Sequence, residues 1–267
     1  MKNLFLAFAL LCSLVGTSQV KPMKYYYPSG KVSGEGAVDE VGNADGIWAY
    51  YYESGVRKMM GMYAHGQATA EWFYWLENSQ LEKRGFYKNS KLDSCWYFFD
   101  AQGKVARLCY YKEDVLDGLC AEFWNDTLKK EAGMYRKGQK TGIWRKWYAN
   151  GKPEEEATYA QDLQNGSYHH WTQEGQLDME GQLEQGKANG KWTFYNAEGK
   201  LLGKGPYKDG AWEGKWVNYY ATGKASSTGC FKNGMKIKKW KYFGEDGKVD
   251  RIEYYRDGKL FKEIIYS

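Results

Sequence analysis

The sequence predicts an all-β fold, a tandem array of antiparallel β-hairpin repeats forming one elongated twisted sheet or solenoid. Three observations predict it: aromatic residues recur every 24 positions, glycines recur in step with them, and the composition is that of a chain of short strands and tight turns. Aromatic residues make up 18% of the chain, and it holds 32 glycines against 4 prolines.

The period is found by stepping 24 residues from Trp48, through Trp72, Trp96, Cys120, Trp144, Tyr168, Trp192 and Trp216 to Trp240. Three positions further on lies an unbroken aromatic column: Tyr51, Trp75, Phe99, Phe123, Trp147, Trp171, Tyr195, Tyr219 and Phe243. Two positions before the tryptophans the column is small almost throughout, from Gly46, Ala70 and Ser94 to Gly214, and ends at Lys238. Turn chemistry recurs twice per period, as in Asn150-Gly151, Glu198-Gly199, Asp209-Gly210 and Asn233-Gly234, where residues that tolerate positive φ sit where a hairpin needs them. Between the turns run short segments rich in β-formers, such as residues 191–195 and 201–207, so each period is one hairpin.

Symmetry about the tight turn sets a register. It places Gly61 opposite Trp72, Gly85 opposite Trp96, Gly133 opposite Trp144, Ala157 opposite Tyr168, Gly181 opposite Trp192, Gly205 opposite Trp216 and Gly229 opposite Trp240. An indole then lies across each glycine, and the rings of successive units are free to stack in a row. One pair departs in both members, Cys109 opposite Cys120. In an oxidising compartment this pair is a disulfide candidate, and two separate buried thiols are the alternative.

Residues 1–18 read as a signal peptide: a positive start at Lys2, an apolar stretch from Leu4 to Val15, a small-residue exit, and cleavage before Gln19. Lipid attachment at Cys12 is opposed by the large Leu11 before it. Residues 19–267 then form an array of about nine to ten 24-residue units, with the first starting near Tyr25. No segment of the mature chain has the roughly 20 apolar residues of a spanning helix. The expected location is therefore periplasmic or extracellular, with outer-membrane association left open.

A net charge of +5 is a small excess of 38 basic over 33 acidic residues, spread along the chain without a basic run, so a nucleic-acid partner is not expected. Neither catalytic residues nor cofactors are expected: no phosphate loop, nucleophile elbow or zinc motif occurs. No metal site is expected either. His65 precedes a turn glycine, and the neighbours His169 and His170 lie in a strand, where they point to opposite faces. The carboxylates Glu154 to Glu156 read as solvated charge.

The candidate binding stripe is the second aromatic column, Tyr51 to Phe243. Strand parity turns it away from the tryptophans, onto a face shared with Lys58, Glu82, Lys130, Glu154 and Asp178. A row of rings on a polar face suits a polypeptide, a glycan chain or a neighbouring subunit, and the partner expected is a protein or an envelope surface. The alternative is that the sheet curls and both columns are core.

The pattern of Gly190-Lys191-Trp192 to Gly199, followed by Gly205-Pro206-Tyr207 to Gly210, resembles the MORN repeat variant of bacterial proteins. That variant is catalogued among exported 24-residue repeat proteins and among YwqK-type antitoxins of toxin–antitoxin systems. The resemblance implies a hairpin array for protein or membrane-surface contacts without intrinsic catalysis. It also implies local irregularity at Cys109, Cys120, Tyr168 and the acidic run, where the pattern is broken.

Overall fold

The computed structural model describes residues 20–125 and 127–266, so the predicted signal peptide lies outside the described residues. The chain divides into two compact units, the first ending at Lys91 and the second starting at Leu92. The first holds β1 (Lys21–Tyr26), β2 (Val32–Val38), β3 (Ala44–Tyr51), β4 (Arg57–Ala64), β5 (Gln67–Trp75) and β6 (Leu81–Lys88). Strand β7 (Lys91–Phe99) opens the second, followed by β8 (Val105–Lys112), β9 (Val115–Phe123), β10 (Lys129–Arg136), β11 (Gln139–Trp147), β12 (Pro153–Ala160), β13 (Leu163–Trp171) and β14 (Leu177–Glu184). It continues through β15 (Lys187–Tyr195), β16 (Leu201–Lys208), β17 (Ala211–Trp212), β18 (Gly214–Tyr219), β19 (Ala225–Lys232), β20 (Met235–Phe243), β21 (Val249–Arg256) and β22 (Lys259–Ile265). Within each unit the strands form an antiparallel meander, and no helix occurs among the described residues. The fold is all-β, as the period predicts.

Both residues of each two-residue turn adopt left-handed φ, for example Asp209 at 51° with Gly210 at 85°, and Asn233 at 49° with Gly234 at 76°. These are the two-residue hairpin turns whose twist matches that of the strands. Such turns also reach sideways along their edge: the Gly186 N–H donates to the Gln164 carbonyl and the Gly210 N–H to that of Ala188. The other edge is tied by side chains, with the Tyr148 hydroxyl donating to the Trp171 carbonyl at 2.8 Å and the Tyr220 hydroxyl to that of Phe243 at 2.6 Å.

The predicted facing of glycine and tryptophan is present, but the ladder around it is not the unbroken one that turn symmetry implies. In β4 and β5 the pair Met60↔Phe73 is followed by Met62↔Thr69, so Gly61 faces Ala70, Glu71 and Trp72 together. The same two-residue shift sets Gly133 against residues 142–144, Gly181 against 190–192, and Gly229 against 238–240. The bulge explains the small column before the tryptophans: Gly46, Ala70, Ser94, Gly142, Gly190, Gly214 and Lys238 all have φ between 57° and 80°.

The indole closes this bulge in two ways. Its ring covers the glycine so closely that a Cβ built on Gly61 would lie 2.1 Å from Trp72 Cδ2, and one on Gly181 2.2 Å from Trp192 Cδ2. Its Nε1–H donates to the carbonyl one residue beyond that glycine, in Trp144 to Met134 at 3.2 Å, Trp192 to Gln182 at 3.1 Å, Trp216 to Pro206 at 3.1 Å and Trp240 to Cys230 at 3.1 Å. The pairs Met134↔Thr141 and Gln182↔Asn189 already give that oxygen a ladder partner, so the indole N–H is a second donor on it, adding about 0.5–1.5 kcal/mol.

The tryptophans form the core of this face, with Trp48, Trp72, Trp96, Trp144, Trp192, Trp216 and Trp240 all buried. Successive indoles do not form the simple stack that the period suggests, because two strand spacings, about 10 Å, separate them. A tyrosine or phenylalanine fills each gap edge-on. Tyr63 lies 4.9 Å from Trp72 and 6.4 Å from Trp48, and Tyr207 lies 5.7 Å from Trp192 and 5.5 Å from Trp216. Each edge-to-face pair adds about 0.5–1.5 kcal/mol beyond its buried area.

Candidate functional site

All nine rings of the candidate stripe are half-buried, Tyr51 and Trp75 in the first unit and Phe99, Phe123, Trp147, Trp171, Tyr195, Tyr219 and Phe243 in the second. Each lies at the end of its strand where the ladder shifts again, by one residue: Tyr74↔Lys83 is followed by Trp75↔Leu81, and Phe194↔Gly203 by Tyr195↔Leu201. The extra residue is Lys58, Glu82, Glu154 or Asp178 in its respective strand.

This second bulge corrects the expected neighbours of the stripe. A one-residue bulge reverses the side-chain alternation beyond it. Lys58 and Lys130 accordingly lie over the rings of Tyr52 and Trp124, and Asp178 is 2.7 Å from His170 Nδ1. Tyr52, Trp124 and His170 stand an even number of positions after the first column, on the side opposite the stripe. The stripe's charged neighbours are other residues. Arg57 lies 5.6 Å from the Trp75 ring, Lys129 5.9 Å from that of Trp147, and Lys204 5.5 Å from that of Tyr219. The hydroxyls of Tyr51 and Tyr195 each donate to a carboxylate at 2.7 Å, of Glu35 and Glu180 respectively.

Those hydrogen bonds leave the two phenols neutral at every physiological pH. The Glu35 carboxylate and burial both raise Tyr51, and burial with the Glu180 carboxylate pushes Tyr195 up to about 12. His169 stacks on Trp171 with 5.8 Å between ring centres, and its Nε2 is 3.9 Å from Glu180 Oε2. Within each unit these rings are therefore flat apolar surfaces edged by charges of both signs. Around Tyr51 the stripe opens into a depression of about 410 Å³ bordered by Lys24, Glu35, Ile47 and Arg57.

Beside the stripe lies a second exposed set that spacing alone did not single out. Ile47 and Met62 pair across β3 and β4, and Leu119 and Met134 across β9 and β10, all of them exposed. In later repeats the positions of Ile47 and Leu119 are taken by Lys191, Lys215 and Lys239. The apolar set is therefore confined to the earlier repeats.

Cys109 and Cys120 stand directly opposite one another in β8 and β9, with Cα atoms 4.0 Å apart and their sulfurs bonded. Cys95 and Cys230 are half-buried. His169 and His170 sit on opposite faces and share no ligand. His65, by contrast, is brought within 3.2 Å of Asp39 and 3.5 Å of Asp45. Sequence spacing hid this group, because the three residues come from three separate strands and turns.

No curated protein matches the chain. Among solved structures, a Photorhabdus luminescens Tc holotoxin pore is 12% identical with a TM-score of 0.19, covering 91% of this chain and 16% of that one. The crystal structure of TcdB2-TccC3 is 11% identical with a TM-score of 0.19, covering 92% of this chain and 18% of that one. The chain thus spans less than a fifth of the length of either. No helix among the described residues is long and apolar enough to cross a membrane. The model of the MORN repeat variant matches residues 19–36, 140–161, 188–209 and 212–233, which include Trp144, Trp192 and Trp216. In these four segments the chain is similar to the MORN repeat variant.

Proposed function

We propose that the chain is a non-enzymatic exported scaffold that binds a protein partner or an envelope surface through the second aromatic column. The observation that carries this reading is the half-burial of every ring in that column. The opposite column is sealed by glycine contacts and indole hydrogen bonds, so it fully meets the packing requirement of the hairpins. A second invariant aromatic row that remains partly open to solvent offers contact area at low conformational cost. The apolar positions of the earlier repeats and the lysines of the later ones vary along the array, and they supply the selectivity that an invariant row cannot. Export rests on the leader-like residues 1–18.

The test is capture from envelope extracts by the purified chain and by a Trp147→Ser/Trp171→Ser variant, with a glycan array run alongside. The reading expects a protein or envelope fraction held by the parent chain and lost by the variant. Equal capture by both proteins would remove the stripe from the account. Glycan binding with no protein capture would replace the partner class with a polysaccharide.

A further inference from the structure

We propose that Asp39, Asp45 and His65 form a binding site for one zinc-type divalent cation that clamps the first tight turn of the array to the next turn on the same edge. All three lie in the first unit, Asp39 at the end of β2, Asp45 in β3 and His65 in the β4–β5 turn.

The site arises where the first hairpin departs from the repeat. The later tight turns have two residues, whereas the first has three, Glu40, Val41 and Gly42, between the paired ends Asp39 and Asn43. The Asp39 carboxylate is buried here, 6% exposed, and its two oxygens have different tasks. Oδ1 accepts the N–H groups of Val41 at 3.1 Å and Asn43 at 2.8 Å, which fixes the longer turn. Oδ2 is aimed away from the turn at His65 Nδ1, with only a long 3.4 Å contact to Asn43 Nδ2 besides. Burial works to raise the Asp39 pKa, but the His65 contact and the hydrogen bonds from Asn43 and Val41 outweigh it and hold the carboxylate ionised.

The distances suit a metal. His65 Nδ1 lies 3.2 Å from Asp39 Oδ2 and 3.5 Å from Asp45 Oδ2. One ligand atom from each of the three residues falls within 4.8 Å of the other two. Ligands bound at about 2.0–2.1 Å in a tetrahedron stand about 3.3–3.4 Å apart, so an ion fits among these atoms with little movement. One imidazole and two carboxylates are a zinc-type donor set with a fourth position left for water. Calcium and magnesium, which ask for six or more oxygens, fit it poorly. His65 is 78% exposed, so the ion enters from solvent and the ring turns onto it without disturbing the sheet.

The test is titration of the metal-free chain with Zn(II), followed by calorimetry and thermal unfolding, and with Co(II), followed by its visible bands. His65→Ala and Asp45→Asn are the variants, since both remove a ligand near the surface and circular dichroism can verify that they fold. The expected result is one equivalent of zinc, the bands of a four-coordinate cobalt ion, a raised Tm, and at least a tenfold loss of affinity in each variant, the least that losing even a supporting group costs a metal site. Zinc uptake that both variants retain, placing the ion at His169 or His170, would overturn the proposal. So would no stoichiometric uptake, or equal competition by calcium.

Discussion

Two neighbouring hairpins of the second unit do the same job with different chemistry. In β14 and β15 an indole covers Gly181 and donates to the Gln182 carbonyl, and the bulge occupies residues 190–192. In β12 and β13 the glycine is Ala157 and the tryptophan is Tyr168, and there the bulge has moved one residue toward the turn: Ala157↔Tyr168 is a regular pair and residues 165–167 face Thr158. The cysteine hairpin behaves alike, with Cys109↔Cys120 paired and residues 117–119 facing Tyr110. Neither tyrosine nor cysteine can place an N–H on the carbonyl one residue beyond the covered position. Without that donor the ladder closes over the site, and the extra residues move on.

The move alters what the glycine of the bulge must do. With an indole present the φ of Gly142, Gly190 and Gly214 is 66–67°, and Ala70, Ser94 and Lys238 take the same place at 57–59°. Without it, Gly118 and Gly166 open to 122° and 129°, where a side chain is strained, and a Cβ on Gly118 would come within 2.8 Å of Tyr110 Cβ. The indole thus makes the bulge permissive, and its absence makes glycine obligatory.

The largest effect expected is at the indole. Trp192→Ala should destabilise the second unit by about 3–5 kcal/mol in chemical denaturation. Trp192→Phe keeps a ring over Gly181 but removes the N–H donated to the Gln182 carbonyl, and should cost about 0.5–1.5 kcal/mol for that bond. A phenylalanine variant as stable as the parent would show that the ring alone matters. Next in size is the disulfide. Reduction of Cys109–Cys120 should lower stability by roughly 2–3 kcal/mol, the chain-entropy value for so short a loop. Mass spectrometry of non-reduced peptides should find the two cysteines linked, and free thiols at both positions would contradict the assignment.

Smaller again is the contrast between two glycines. Gly118→Ala should cost about 2 kcal/mol or more, and Gly142→Ala, at 66° with open space around its Cβ, only about 1 kcal/mol. Equal losses would remove the link between bulge position and side-chain tolerance. The smallest effect is at Glu253, which takes the glycine's place opposite Trp240, with Ile264 rather than a tryptophan one period after Trp240. Burial raises its pKa, but the hydroxyls of Tyr242 and Tyr255 and the charges of Lys236 and Arg251 outweigh it and hold the carboxyl below the ordinary range. A folded pKa below the unfolded one gives stability that is present above the ordinary carboxylate range and lost as pH falls through the lowered value. Glu253→Gln should therefore flatten the acid limb of a stability–pH profile, and an unchanged limb would assign the loss to other carboxylates.

Much of this molecule was legible in its period. The hairpins, their left-handed turns and the facing of glycine and tryptophan all follow from columns 24 residues apart. The bulges were not legible, because a register drawn by symmetry about a turn has no term for a hydrogen bond from an indole. The small column at Gly46, Ala70 and Ser94 was the available sign: positive φ inside a strand marks a bulge, and glycine, alanine and serine share little else there. The side of Lys58 and Asp178 was misread for the same reason, since a one-residue bulge reverses parity. The Asp39, Asp45 and His65 group was hidden because only the fold brings adjacent turns together along one edge.

The central claim is that the indole N–H sets the position of the bulge. A crystal structure of the Ala157→Gly/Tyr168→Trp variant tests it most directly, since it returns the glycine and the donor to a hairpin that now lacks both. The account predicts that the new indole will donate to the Thr158 carbonyl, that the bulge will move to residues 166–168, and that Gly166 φ will fall from 129° toward the 67° of Gly190. A variant in which Gly166 stays near its present angle, with residues 157 and 168 still paired, would contradict it.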